Sequence, residues 1–139
     1  MARRSAVPSG HRSDGDGRRL RILVADDDDV TRRSLKRLLE SYGHRASTAV
    51  DGAQALELLG RRRFDLAILD LAMPRLDGLE VARRVRRGET MNEPSLVAFT
   101  ARTRPSDRQA TREAGFGVHL GKPLDVGRLR RLLDQLATA

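Results

Sequence analysis

The feature that most constrains this chain is a series of short apolar runs, each followed by a segment of helical period. Arg21-Ile22-Leu23-Val24-Ala25, Phe64-Asp65-Leu66-Ala67-Ile68-Leu69 and Ser95-Leu96-Val97-Ala98-Phe99 carry apolar side chains at consecutive positions. Strands of that kind have no solvent face, as in a parallel sheet covered on both sides. His44 to Ala49 reads as a second strand, poorer in apolar residues and suited to an edge, and Phe116 to Leu120 reads as the fifth. Between them, Val30, Leu35, Leu38, Leu39 and Tyr42 recur at helical spacing and are closed by Gly43. Asp51 opens a helix with Ala53, Ala55, Leu56, Leu58 and Leu59 that ends before Gly60. A loop with Pro74 and Gly78 precedes a helix holding Leu79, Val81, Ala82 and Val85. Ser106 to Ala114 forms a fourth helix closed by Gly115. Asp125 to Leu136 forms the last, with Val126, Leu129, Leu132, Leu133 and Leu136 on its apolar face. Five strand–helix units of this kind predict a doubly wound α/β domain.

Composition narrows the class. A chain of 139 residues suits one domain with a real core, and the absence of cysteine excludes disulfides, thiolate zinc sites and a cysteine nucleophile. No apolar run approaches the roughly 18–20 residues that span a bilayer. The N-terminus has charges but no apolar stretch behind them, so it does not read as a secretory signal. A cytoplasmic single-domain protein is expected, with residues 1–20 as a disordered basic tail and residues 21–139 as the domain. The formal net charge is +8, and since only Lys36 and Lys122 are lysines, 27 − 2 = 25 residues are arginine. That excess suggests polyanions, but five Arg and two Asp put +3 in the first 20 residues and the remaining +5 is spread along the chain. Aromatics are 3% of the sequence, too few for a stacking platform, and no zinc-finger spacing occurs. Neither direct nucleic-acid binding nor membrane association is expected.

Polar residues at the strand ends carry the chemistry. The first strand runs into Asp26, Asp27, Asp28 and Asp29, the third into Asp70 and the fourth into Thr100, and Lys122 follows the fifth. Singly, each has an ordinary explanation: Asp29 as a helix cap, Thr100 as the cap of the next helix, Lys122 as a loop residue before proline. Together they fall at the same end of different strands, where open α/β sheets bind ligands. Three clustered carboxylates call for a cation, and an oxygen-only donor set without His or Cys suits a hard ion such as Mg²⁺. Mg²⁺ is usually shared with phosphate oxygens, a lysine ammonium can balance a phosphoryl group, and a threonine hydroxyl can donate to one. The set describes a phosphoryl site whose obvious nucleophile is a carboxylate.

The segments RILVADDDD, DLAILDLAMPRLDGLE, VAFTA and HLGKPL resemble the successive signatures of response-regulator receiver domains, the chemotaxis-regulator-like group of two-component signalling. The resemblance covers residues from about 21 to 137, and the spacings 70 − 27 = 43, 100 − 70 = 30 and 122 − 100 = 22 agree with it. It implies a flavodoxin-like five-stranded parallel sheet in the order 2-1-3-4-5 with five helices. Asp70 would be the phosphoacceptor, and Asp27 and Asp70 would bind Mg²⁺ directly. Asp26 would act through water and the Ala72 carbonyl would complete the protein ligands, with Mn²⁺ able to substitute. Lys122 would pair with the phosphoryl oxygens, Thr100 would hydrogen-bond to them, and Lys122-Pro123 would be cis. Pro74 and Gly78 match the loop that shapes the acceptor pocket. No other cofactor is implied, and by the resemblance the chain would be a phosphoacceptor that assists its own phosphorylation and dephosphorylation rather than an enzyme.

His119 stands where the family usually has Tyr or Phe, the aromatic switch, so either a switch or a strand-end histidine without a role is expected there. Ala72 is too small to shield a hydrolytic water, and Asp28 and Asp29 are expected at the helix start rather than as ligands. The leading function is a phosphorylation-dependent regulator with no output domain in the chain. It would take its phosphoryl group from a histidine kinase or phosphotransfer protein and switch the helix 4–strand 5–helix 5 surface (about 104–137). That surface would serve a downstream protein target or a homodimer. Three alternatives stay open: a receiver domain excised from a hybrid histidine kinase, a receiver-fold binding module independent of phosphorylation, and an Mg²⁺-dependent aspartyl-phosphate hydrolase. The last lacks a second acid/base Asp close after Asp70 and room for a cap domain.

Overall fold

The computed structural model describes residues 17–138. In chain order its elements are β1 (Arg21–Ala25), α1 (Asp29–Ser41), β2 (Arg45–Ala49), α2 (Gly52–Arg61), β3 (Leu66–Leu69), α3 (Gly78–Arg86), β4 (Ser95–Thr100), α4 (Pro105–Ala114), β5 (Val118–Gly121) and α5 (Val126–Thr138). The strands form one sheet in the order β2-β1-β3-β4-β5, and every neighbouring pair is parallel. This is the expected doubly wound topology, with β2 at an edge.

Strand alternation divides the core into two layers. Leu23, Ala25, Ala67, Leu69, Leu96 and Ala98 face one side, where α2, α3 and α4 supply Ala55, Leu59, Val81, Val85 and Ala114. Ile22, Val24, Leu66, Ile68, Val97 and Phe99 face the other, against Leu35 and Leu39 of α1 and Leu129 and Leu133 of α5. Both faces are apolar because both are covered, which is why the central strands read as continuous runs. Burying each Leu or Ile contributes about 1.5–3 kcal/mol, and the stiff sheet this produces is the platform for the strand-end residues.

Several boundaries shift for identifiable reasons. Asp28, not Asp29, caps α1: its backbone is extended and its carboxylate accepts from the Thr31 N–H at 3.2 Å, while Asp29 is already helical. Asp51 and Asp77 cap α2 and α3 in the same way. Gly60 lies inside α2 rather than after it. The fifth strand starts at Val118, not Phe116, because Gly115 ends α4 in the left-handed region and the Phe116 N–H still bonds the Thr111 carbonyl. Val30 and Val126, read as core-facing, are 72% and 47% exposed. Each lies in the first turn of its helix, at the end of the sheet where the packing stops.

Residues 1–16 of the expected tail lie outside the described residues. Of the next four, Gly17, Arg18 and Arg19 are exposed, but the Arg18 N–H donates to the Ala137 carbonyl at 3.1 Å and Arg18 pairs with Asp65 at 2.9 Å. Leu20 is wholly buried, with its N–H on His44 Nδ1 at 3.0 Å. Among the described residues no helix is long and apolar enough to cross a membrane.

Candidate functional site

The strand order places β2 on one side of β1 and β3 on the other, so the crossovers diverge between β1 and β3 and a crevice opens at their carboxyl ends. Asp26 and Asp27 follow β1 and Asp70 follows β3. The ladder continues one residue past each strand: Asp26 N–H donates to the Ala49 carbonyl at 3.1 Å and Asp70 N–H to the Ala25 carbonyl at 3.0 Å. The backbone beneath both carboxylates is therefore held by the sheet. At the start of α3, Gly78 passes so close to Asp70 that a Cβ there would lie 2.4 Å from the Asp70 carbonyl oxygen. Only glycine permits that approach.

Asp26 and Asp70 are buried, whereas Asp27 is exposed. Lys122 reaches across the edge of the sheet and donates to Asp26 Oδ2 at 2.8 Å and Asp70 Oδ2 at 3.1 Å, with Nζ 5.3 Å from the centre of the Phe99 ring. Asp26 Oδ1 accepts from the Asp28 N–H at 2.9 Å, so both its oxygens are engaged. Asp70 Oδ1 accepts from the Ala72 N–H at 3.2 Å. Among the described residues no hydrogen bond or ion pair holds the Asp27 carboxylate.

One ligand atom from each of Asp26, Asp27 and Asp70 lies within 4.8 Å of the others. Three carboxylates against one ammonium leave two negative charges, an all-oxygen donor set that fits a hard divalent cation. Burial pushes the Asp26 carboxyl above its usual range, against the Lys122 and Asp28 hydrogen bonds that lower it. Lys122 sits above the ordinary lysine value: burial lowers it, but its bonds to Asp26 and Asp70 outweigh that. For this pair the geometry decides, and the short contact is an ammonium donating to a carboxylate.

Thr100 is buried at the end of β4, and its carbonyl accepts from the Lys122 N–H at 2.9 Å. Its hydroxyl oxygen accepts from the Arg102 N–H at 3.2 Å and so serves its own loop. Lys122-Pro123 is cis. His119 does not join the acidic cluster. It is buried, with Nε2 2.8 Å from the Arg102 carbonyl and Nδ1 3.1 Å from the Thr111 hydroxyl. A carbonyl only accepts, so Nε2 carries a proton and His119 ties the loop after Thr100 to β5 and α4. It is neither a free strand-end side chain nor partly exposed.

Two contributors escaped the sequence reading. Arg32 is 8% exposed and spans the Asp26 carbonyl at 2.8 Å and the Asp29 carboxylate. Thr111 is the buried partner of His119. Neither carries a motif, and Arg32 is one arginine among 25.

The model of the response regulator receiver domain matches residues 22–134. Response regulator MprA of Mycobacterium sp. (strain KMS) is 42% identical over 118 residues, covering 82% of this chain and 50% of that protein. The chain thus spans about half the length of the curated relatives it matches. The receiver domain of sensor histidine kinase PA1611 from Pseudomonas aeruginosa PAO1, a structure with a magnesium ion in its active site cleft, is 29% identical with a TM-score of 0.78. That match covers 88% of this chain and 100% of the other. A co-crystal structure of the Saccharomyces cerevisiae phosphotransfer protein Ypd1 with the receiver domain of Ssk1 matches at a TM-score of 0.80 and 20% identity, over 88% of this chain and 91% of the other, a likeness of fold alone. Strand order, converging carboxylates and matched length lead to one conclusion: this chain belongs to the response regulator receiver domain family of two-component signalling.

Proposed function

We propose that the domain is a phosphorylation switch whose acceptor is Asp70. The observation that carries this is the Asp70 carboxylate, on a backbone held by the sheet, with Lys122 Nζ 3.1 Å away and Asp26 and Asp27 beside it. An Asp70 oxygen attacks phosphorus, the acyl-phosphate bond forms, and the bond to the donor's leaving group breaks with its electron pair. Lys122 follows the charge onto the new phosphoryl oxygens. Positioning and charge neutralisation supply most of the rate.

Asp27 and Asp70 would hold Mg²⁺ directly, with the Ala72 carbonyl as the third protein ligand. Both Asp26 oxygens are already engaged, which supports its acting through water. The cation, when bound, supplies charge neutralisation and alignment of the phosphoryl oxygens. Mn²⁺ fits the same donors.

The donor is a histidine kinase or phosphotransfer protein. A phosphoryl group draws the Thr100 hydroxyl away from the Arg102 N–H. Arg102 is also the residue His119 holds by its carbonyl, so the change reaches β5 and α4 of the helix 4–strand 5–helix 5 surface read by a downstream protein or a second copy. A binding module independent of phosphorylation has no use for this convergence. Acetyl phosphate with Mg²⁺ tests the proposal: wild type gains the mass of one phosphoryl group and Asp70→Asn does not. Equal gain in both removes Asp70 as the acceptor.

A further inference from the structure

The turn joining Asp26 to α1 is held from inside the protein by a side chain that the phosphoryl chemistry does not use. Arg32 lies one turn into α1, and its guanidinium is almost wholly buried, which is costly for a charged group without partners. One nitrogen donates to the Asp26 carbonyl at 2.8 Å and the other to the Asp29 carboxylate. Among the described residues no backbone N–H reaches that carbonyl, because the turn has left the sheet and not yet entered the helix. The same peptide unit carries the Asp27 N–H. Holding its carbonyl therefore sets the plane from which the Asp27 side chain departs. On the other side of the turn, Asp26 Oδ1 accepts the Asp28 N–H at 2.9 Å. The Asp26–Asp27–Asp28 turn is thus clamped at both ends, while the exposed Asp27 carboxylate between them has no hydrogen bond or ion pair among the described residues.

We infer that Arg32 is a positioning residue for the cation site, presenting Asp27 by clamping the Asp26–Asp27 peptide. This rests on the proposed role of Asp27 as a direct ligand. A free carboxylate on an exposed turn would sample many orientations and bind a cation poorly. Arg32 removes the backbone share of that freedom without touching the ion. Its planar fork suits the task, since two nitrogens bond two acceptors in fixed relative positions. A lysine would keep the charge and lose the fork. Outer partners that orient a ligand typically change metal affinity by about 10–100-fold when removed.

The test is a Mg²⁺ titration followed by calorimetry and by the amide NMR shifts of Asp27 and Asp70, since the chain has no tryptophan to report binding. Thermal melting without Mg²⁺ is measured alongside. Arg32→Met keeps the apolar stem and removes both hydrogen bonds, and its Mg²⁺ dissociation constant should rise about tenfold or more. Arg32→Lys should lose at least threefold despite its charge. At saturating Mg²⁺ both should recover most of the acetyl-phosphate rate. If Arg32→Met melts earlier but binds Mg²⁺ within threefold of wild type, the residue is structural and the inference is overturned. If only Arg32→Met loses affinity, the role is charge and not positioning, which also overturns it. Should Arg32→Met fail to fold, Arg32→Lys decides by the same threefold mark. Wild type that does not bind Mg²⁺ at all defeats the metal-site reading instead.

Discussion

Lys122 and Asp26 stand 96 residues apart in sequence and are joined by a 2.8 Å hydrogen bond, shorter than the 3.1 Å bond that Lys122 gives Asp70. The ammonium therefore serves two purposes. It neutralises a buried carboxylate that has little water, and it stands ready beside the one proposed to react.

Replacing Lys122 with Ala should cost about 2 kcal/mol of stability in EDTA, since Asp26 and Asp70 would remain buried without a cation. Adding Mg²⁺ should recover part of that loss. The acetyl-phosphate rate should fall more than tenfold and should not recover with Mg²⁺. Urea unfolding with and without Mg²⁺ separates the two effects.

Asp27 is exposed and carries one of three clustered like charges. Asp27→Asn should stabilise the metal-free protein by about 1 kcal/mol, the scale of two unit charges about 4 Å apart in water. The same change should abolish stabilisation by Mg²⁺, which in wild type reaches about 2.7 kcal/mol at 100 times the dissociation constant. Melting curves in EDTA and across a Mg²⁺ series check both signs. A lower melting temperature in EDTA would contradict the repulsion.

Gly78→Ala drives a Cβ to 2.4 Å from the Asp70 carbonyl oxygen, and backbone cannot yield as a flexible side chain can. The expected cost is about 1–3 kcal/mol, as for overpacking elsewhere, with slower phosphorylation because the acceptor is displaced. Gly60→Ala, where nothing lies within 4 Å of the added Cβ, is the matched control and should be neutral or slightly stabilising.

Two buried histidines make stability depend on pH. Burial lowers His44, against Asp134 and with help from Arg130 and Arg19. Burial also lowers His119, with Arg108 and Arg128, against the Arg102 carbonyl and Asp107. A depressed folded value means the unfolded chain binds protons first. The stabilisation is complete above the ordinary value of 6.5 and is lost as pH falls through the lower folded values. Melting temperature should therefore drop between pH 7.5 and 5.5. His44→Asn, which can still accept the Leu20 N–H, should flatten the slope. An unchanged slope would remove His44 as a contributor.

Much of this protein was legible in the linear chain, and for a definite reason. Periodicity records which faces are covered, so the runs at Ile22–Ala25 and Leu96–Phe99 announce strands buried on both sides, and such strands need helices above and below. Once the strands are parallel their carboxyl ends share an edge, which suffices to place Asp26, Asp27, Asp70, Thr100 and Lys122 together. What periodicity cannot encode is which of several available partners a polar side chain takes once the chain has folded. Tertiary packing chose Asp28 over Asp29 as the cap of α1. It drew Leu20 into the core and turned the Thr100 hydroxyl toward Arg102 rather than the acidic cluster. It closed His119 onto Arg102 and Thr111, and it selected Arg32 from 25 arginines to hold the Asp26 carbonyl. These are choices of rotamer and hydrogen-bond partner, and a buried polar group settles them only when its neighbours are in place.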